Sequence, residues 1–336
     1  MGNPGSRHGY HKLHGERLPA VQKHKEVVIG GGSFLIGECK GEGAYGKVFK
    51  AMKTDSGANE TIADMDVVAK IQKPACEWEF YIGTEIHSRL SAMGATADDK
   101  ARFMSIPRCF TFEDGSILIS EHQQGTLLDV VNSIKSEKNL HEATAIFFLM
   151  EMLVIGRKLG EMEIIHGDIK PDNFLLLDIP NSSAGAESFS KLRPSIQLID
   201  FGRCIDHKMY PRGKTFAHVF SKKELRCPEM EEGKPWSYQI DYFGIASTAY
   251  VLLSGSYMKL VKNKEGKTFP SGPMRRWWNT ELWTAFFTEF LNIPDENCLP
   301  DLDAWLCKFR DYFSSKKMAQ WAEVQVKIKS ALHSKR

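Results

Sequence analysis

The sequence predicts an α+β protein, β-rich in its first part and helical in a larger second part, on three observations. Short runs of β-branched and aromatic residues, separated by glycine or polar turns, fill the stretch from Ser33 to about residue 120. Apolar stretches at helical spacing dominate after Gly125. The chain has 336 residues, 42% hydrophobic and 26% charged, enough for one large domain or two lobes. That composition also excludes wholesale disorder and the collagen-like and coiled-coil classes.

Residues 1–32 read as a flexible extension. They carry His8, His11, His14 and His24, several Lys and Arg, and end in Gly30-Gly31-Gly32. Histidines so spaced, with no acidic or cysteine partners, are expected to be solvated. The Met1-Gly2 and Ser6 match to an acylation pattern is read as chance. From Ser33, Phe34–Ile36 lead into a glycine-rich turn, Val48, Phe49 and Ala51 follow, and then Val67–Ile71, all as short strands. A helix starts near Trp78 and runs towards Leu90. Two strands, Arg108–Phe112 and Ile117–Ser120, are joined by the hairpin signal Glu113-Asp114-Gly115. The join to the helical part lies near residues 120–126, so the expected division is an extension at 1–32, a first lobe at 33–120 and a second at 121–336.

In the second part, residues 141–160 form a helix too apolar to lie on a surface. Strands are expected at Phe174–Leu177 and Ile196–Ile199, with an exposed insert at 178–195 between them. Ile240–Leu253 and Leu282–Leu291 are further helices. In the tail, Trp305, Phe309, Phe313, Met318, Trp321, Val324 and Ile328 recur at helical spacing. They predict a packed helix pair, with Lys308, Lys316, Lys317, Lys327 and Lys329 on a solvated basic face, and a chromatin-docking face as the alternative.

A net charge of +2 is too balanced for a protein living mainly on nucleic acid or an anionic membrane. No apolar run is long enough to span a bilayer, the best one being broken by Glu151. Seven scattered cysteines, none in a C-x-x-C, read as free thiols of a reducing compartment, cytosolic or nuclear.

Several motifs carry chemistry. Gly41-Glu42-Gly43-Ala44-Tyr45-Gly46-Lys47-Val48 is a G-x-G-x-x-G-x-V string that continues as a strand, not a helix. It therefore suits a glycine-tipped hairpin whose N–H groups approach phosphates, and not a dinucleotide fold. Lys70 lies in the otherwise apolar Val67–Ile71, where an ammonium is costly unless its charge is used. Its carboxylate partner is expected to be Glu79, with Glu85 and then Glu77 as alternatives. His166-Gly167-Asp168-Ile169-Lys170-Pro171-Asp172-Asn173 is a loop between a buried helix and a strand. An aspartate five residues before an asparagine suits a base (Asp168) beside a metal ligand (Asn173), with Lys170 to offset phosphoryl charge. Asp200-Phe201-Gly202 follows an apolar strand, where Asp200 is a natural Mg²⁺ ligand. Cys227-Pro228-Glu229 resembles A-P-E, and Asp241 opens a buried helix from which it could anchor the catalytic loop.

In this order the motifs resemble the eukaryotic protein kinases over roughly residues 33–330. Lys73-Pro74-Ala75, Trp78-Glu79-Phe80-Tyr81-Ile82-Gly83, the H-G-D loop, Lys234 to Gly244 and Leu291-Asn292-Ile293-Pro294 are similar to the mitotic checkpoint kinases of the BUB family. The resemblance implies a bilobal kinase fold and favours Glu79 as the partner of Lys70. ATP is expected under the glycine loop, with its adenine at the hinge Glu121-His122-Gln123 and Ser120 as a small gatekeeper. Asn173 and Asp200 then hold Mg²⁺, and Asp168 accepts the proton of a Ser/Thr hydroxyl. It further implies a spindle-checkpoint enzyme of kinetochores and centromeres in mitosis, nuclear then and cytoplasmic in interphase. Its substrates would be a core histone tail or kinetochore proteins, and checkpoint partners would bind through regions beyond these residues. No membrane and no sequence-specific nucleic acid is expected. The rival is a pseudokinase of the checkpoint-complex branch. Two departures stand out: Gly167 replaces the arginine of H-R-D, and Glu224-Leu225-Arg226-Cys227 lacks the hydroxyl residue usual before P-E.

Overall fold

The computed structural model describes residues 7–43, 46–54, 66–123, 125–136, 141–177 and 193–333. The chain divides into two compact units, residues 1–123 with Asp200–Gly202, and residues 124–199 with 203–336.

The first unit is a seven-stranded sheet with two helices. Its strands are β1 (Tyr10–Lys12), β2 (Glu26–Ile29), β3 (Gly32–Gly43), β4 (Gly46–Lys53), β5 (Asp66–Gln72), β6 (Arg108–Phe112) and β7 (Gly115–Glu121). They lie in the order β1-β6-β7-β5-β4-β3-β2. The inward side chains Ile29, Phe34, Ile36, Ala51, Val67, Ala69, Phe110 and Ile117 form its core, as period-two alternation requires. Helix α1 (Glu77–Ala92) buries Phe80, Tyr81, Ile82, Ile86 and Leu90. The short α2 (Ala97–Ala101) opens on a capping box between Thr96 and Asp99.

The flexible extension expected at 1–32 is corrected from residue 7 onward. Gly30 and Gly31, with φ of 57° and 81°, are the two-residue turn of the β2–β3 hairpin, in which Ile29 pairs with Gly32. Consecutive positive φ values are what such a turn requires, and glycine supplies them. Val27 and Ile29 alternate into the core. β1 pairs in parallel with β6, His11 stacks on Phe110 at 5.0 Å, and Tyr10 donates to Glu77 Oε1 at 2.7 Å. Arg7 bonds Thr84 and Glu85 on α1 and lies over the Tyr81 ring. The histidine-rich composition hid an ordered part of the sheet.

The second unit is helical. It comprises α3 (Leu127–Ser136), α4 (Glu142–Glu161), α5 (Pro228–Glu231), α6 (Gln239–Ser254), α7 (Thr280–Phe290), α8 (Leu302–Lys316) and α9 (Met318–His333). α4 is buried on all sides over most of its length, which is why it is apolar all round. α6 is likewise buried and ends on Gly255 at φ 73°. Two-stranded ladders pair β8 (Ile164–Ile165) with β11 (Ile205–Asp206) and β9 (Phe174–Leu176) with β10 (Ile196–Leu198). β12 (Leu260–Lys262) and β13 (Thr268–Pro270) form a hairpin within the part where helices were expected to dominate. Most of the expected insert, 178–192, lies outside the described residues.

The tail packs as a helix pair: Trp305, Phe309, Phe313, Trp321, Val324 and Ile328 are all buried, and Trp321 stacks on Phe147 of α4 at 4.0 Å. Lys317 is a correction. It does not lie on a solvated face but donates to the buried Glu142 at 2.7 Å. The seven cysteines are free thiols, and no helix of the described residues is long and apolar enough to cross a membrane.

Candidate active site

In the first unit the site is organised around Lys70. On β5, Val67 and Ala69 point into the core and Lys70 points to the opposite face. Its Nζ lies 2.8 and 2.9 Å from the two oxygens of Glu79 and 2.7 Å from Asp200 Oδ1. Glu79 is fully buried on the first turn of α1 and also accepts from Gln72 Nε2 at 2.8 Å. Burial pulls the Lys70 ammonium down, but the Glu79 and Asp200 carboxylates more than offset it, so its pKa is raised. The alternatives to Glu79 are committed elsewhere, Glu85 to Arg7 and Arg89 and Glu77 to Tyr10. Asp200 has φ of 67°, a strained conformation for a residue other than glycine and one that collects at functional sites.

Gln72 is a residue that the sequence reading missed. It follows Lys70 by two positions on the same strand face, and Ser116 Oγ donates to its Oε1 at 3.3 Å. That spacing was the available signal.

The glycine string is a β3–β4 hairpin, with Gly41 paired to Val48, Glu42 to Lys47 and Gly43 to Gly46. Ala44 and Tyr45 lie outside the described residues. The three glycines differ in their reasons. A Cβ at Gly41 would meet nothing, and at Gly43 only ordinary contact, so both leave space for a ligand. At Gly46 a Cβ would strike the Ile71 carbonyl, so this glycine admits the neighbouring strand. Ser120 is buried and pairs with Val68, and Glu121 pairs with Val67 as β7 ends. His122 and Gln123 follow, half-buried.

In the second unit the H-G-D loop hangs from Asp241 at the start of α6. Asp241 Oδ2 accepts the His166 N–H at 2.7 Å and Oδ1 the Gly167 N–H at 2.8 Å. Burial raises the Asp241 carboxyl to about 7, against the two N–H bonds that favour its ionised form. Gly167 has φ of 74°, a conformation that glycine adopts without strain. His166 Nε2 lies 3.0 Å from the Ile199 carbonyl and must carry the proton, which leaves Nδ1 to accept the Asp168 N–H at 3.3 Å. Asp168, only 4% exposed, is engaged by Lys170 Nζ at 2.9 and 3.2 Å. Asn173 Nδ2 donates to the Asp168 carbonyl at 2.8 Å, which fixes its amide and presents Oδ1 as an oxygen donor.

The segment after Gly202 is held by backbone, aromatic and arginine contacts. Phe216 and Trp236 exchange backbone hydrogen bonds of 2.8 and 2.9 Å, and Trp236 Nε1 donates to the His218 carbonyl at 2.8 Å. Arg203 lies over the Phe220 ring, and Arg226 donates to the carbonyls of Phe220 and Ser221 and to Glu231.

A lysine fastened to a helix glutamate, an Asp–Lys–Asn loop hung on a buried aspartate and a D-F-G aspartate define a phosphotransfer fold. Residues 35–271 match the protein kinase domain family, and the chain belongs to it. Its similarity to checkpoint kinases is specific. It is 39% identical over 290 residues to the mouse mitotic checkpoint serine/threonine-protein kinase BUB1, covering 85% of this chain and 26% of that protein. To the Arabidopsis thaliana protein of the same name it is 31% identical, over 85% of this chain and 54% of that one. The crystal structure of the BubR1 kinase domain matches with a TM-score of 0.86 at 30% identity, covering 98% of this chain and 93% of the other. The chain therefore spans about a quarter to a half of the curated relatives' length. Membership of the family implies use of ATP with a divalent metal, and protein substrates.

Proposed function

We propose that the chain is an ATP-dependent serine/threonine protein kinase of the spindle-assembly checkpoint. The observation that carries this reading is Lys70, held within 2.9 Å of Glu79 and of Asp200 in one unit. A compact ammonium between carboxylates is a phosphate ligand kept in place.

The residues fit ATP and Mg²⁺ by the chemistry of their donors. Mg²⁺ prefers hard oxygen ligands, and Asp200 offers a carboxylate and Asn173 a carboxamide oxygen. When bound, the ion neutralises phosphate charge. Lys70 contacts the phosphates and Glu79 keeps it aimed. Gly41, Glu42, Gly43, Ala44, Tyr45, Gly46 and Val48 supply the phosphate-covering hairpin, and Ser120, Glu121, His122 and Gln123 the edge that receives the base. Asp168 orients the substrate hydroxyl and accepts its proton, and Lys170 offsets charge on the transferring group. Positioning and charge neutralisation are most of what phosphoryl transfer asks of a protein.

The substrates in this reading are a core histone tail or kinetochore proteins, met at kinetochores and centromeres in mitosis. The enzyme is nuclear at that stage and cytoplasmic in interphase. The pseudokinase reading is not favoured, because Lys70, Asp168, Asn173 and Asp200 are all present. The test is ATP-dependent phosphorylation of histone and kinetochore proteins by the purified chain beside an Asp168→Asn control. Equal incorporation by both would refute the assignment.

A further inference from the structure

Lys70 is not the only group that holds Glu79. Glu79 Oε1 accepts from Lys70 at 2.8 Å, whereas Oε2 accepts from Lys70 at 2.9 Å and from Gln72 Nε2 at 2.8 Å. Gln72 is 5% exposed and lies two residues beyond Lys70, so both side chains leave β5 on the same face. Its neighbour across the ladder is Ser116 on β7, 0% exposed, whose hydroxyl donates to Gln72 Oε1 at 3.3 Å. The same hydroxyl accepts the N–H of Cys76, the residue at the N-cap of α1, at 3.1 Å.

These bonds close a ring. It runs from the Cys76 N–H to Ser116, through the Gln72 amide to Glu79, and back along the first turn of α1 to Cys76, three residues earlier. The amide is oriented at both ends, Oε1 towards a donor and Nε2 towards an acceptor. Every member belongs to the first unit. A Cβ at Gly46 would come within 3.2 Å of Gln72 Cγ, so the end of the glycine hairpin also makes room for this side chain. Two properties of the ring bear on Lys70. Gln72 is neutral, so it gives Glu79 a charge-assisted bond without introducing a second cation beside Lys70. It is also independent of Lys70. When the ammonium turns towards phosphate and its hold on Glu79 weakens, the buried Oε2 keeps a donor.

We propose that Gln72 and Ser116 are positioning residues for phosphoryl transfer: they fix Glu79 from within the sheet and, through it, aim Lys70. The proposal rests on the reading of Lys70 as the phosphate ligand. Gln72 sets the carboxylate directly, and Ser116 acts one step further back, by orienting the amide and by tying the start of α1 to β7. Both act by geometry, since neither side chain carries charge, and correct geometry is a large part of what phosphoryl transfer requires.

The test is a mutant cycle on the full chain. Gln72→Met keeps the length of the side chain and removes its donor, and it should lower kcat for transfer from ATP about tenfold. Ser116→Ala leaves the amide in place but unoriented and should lower kcat about threefold. In a Glu79→Gln background neither change should lower the remaining rate further, because the group through which both act is gone. A merely structural role would lower the rate alike in both backgrounds. A second readout needs no transfer. Reductive methylation of Lys70, followed by the mass of its peptide, should run about threefold faster in Gln72→Met and in Ser116→Ala than in the original chain. Equal losses of rate in the two backgrounds, or unchanged methylation of Lys70, would overturn the proposal. An original chain that transfers no phosphate, while its variants still show faster methylation, would overturn the kinase reading and uphold the hold of Gln72 and Ser116 on Lys70.

Discussion

Replacing Lys70 by methionine separates what the lysine does for the fold from what it does for phosphate. Glu79 is 0% exposed and touches the ammonium with both oxygens, at 2.8 and 2.9 Å. At an effective dielectric constant of about 20, two charges at that separation attract by ~6 kcal/mol, much of it offset by the cost of dehydrating both. Taking away one partner leaves a buried carboxylate that accepts from Gln72, and such a loss costs about 3–5 kcal/mol. Asp200 is 39% exposed, so its share of the pair is small, about 0–1 kcal/mol. Lys70→Met should therefore lower the stability of the first unit by about 3 kcal/mol or somewhat more.

Adding Glu79→Gln to Lys70→Met should recover about 2 kcal/mol of that loss, because a neutral amide can be buried where a lone carboxylate cannot. Both variants should be inactive in phosphoryl transfer. The pH dependence gives a second check. Burial already pushes the Glu79 carboxyl upward, and without Lys70 it rises further. A group whose folded pKa is raised binds a proton in the folded state that the unfolded state has lost. The single variant should thus lose stability as pH rises from about 4 towards neutrality, and the double variant should not. The assay is urea unfolding followed by near-ultraviolet circular dichroism at pH 5 and pH 8. A single variant within about 1 kcal/mol of the original chain, or a double variant no more stable than the single, would refute a buried Lys70–Glu79 ion pair.

Three further predictions follow from the second unit. Asp241, raised to about 7 by burial, should make stability fall between about pH 4 and 7 while activity rises over the same range, because only the carboxylate accepts from both His166 and Gly167; Asp241→Asn should flatten both profiles. Gly167→Ala should cost about 1–2 kcal/mol in thermal or chemical unfolding, since φ is 74° and a Cβ would lie 3.2 Å from the Arg203 carbonyl. Fully dephosphorylated protein, verified by intact mass, should keep initial rates within about twofold of the untreated protein, and Thr215→Ala and Ser221→Ala should behave alike; rates near zero that return only with phosphate would refute this.

The parts of the molecule legible in the sequence were those where one residue type answers one physical demand. Lys70 stood out as a charge inside an apolar strand, and Asp168, Asn173 and Asp200 as hard donors at strand ends and in a loop. The partner of Lys70 was harder to find, because Glu77, Glu79 and Glu85 all lie on one helix. The structure distinguishes them by what else each one meets: Tyr10 for Glu77, Arg7 and Arg89 for Glu85. Two of those three competitors, Arg7 and Tyr10, come from residues 7–32, which composition made look like a solvated tail. Period-two burial over only four residues, Glu26–Ile29, is too short a signal to outweigh four histidines and three glycines. Lys317 failed for a related reason. Helical spacing places it among basic neighbours, and nothing local reveals Glu142 far back in the chain.

Gly167 reads differently once its backbone is known. By sequence it is a deletion, the loss of a side chain that in other kinases answers an activating phosphate. By structure it relieves strain, because the loop whose two N–H groups reach Asp241 takes a positive φ at this position. The segment that an arginine at this position would have governed is instead held by Trp236, which bridges Phe216 and caps the His218 carbonyl. Arg226 binds the carbonyls of Phe220 and Ser221, and Arg203 covers the Phe220 ring. These contacts involve backbone groups and aromatic faces, none of which changes charge on phosphorylation. A segment held by such contacts is expected to keep its arrangement whether or not its hydroxyls carry phosphate, which the dephosphorylation assay checks.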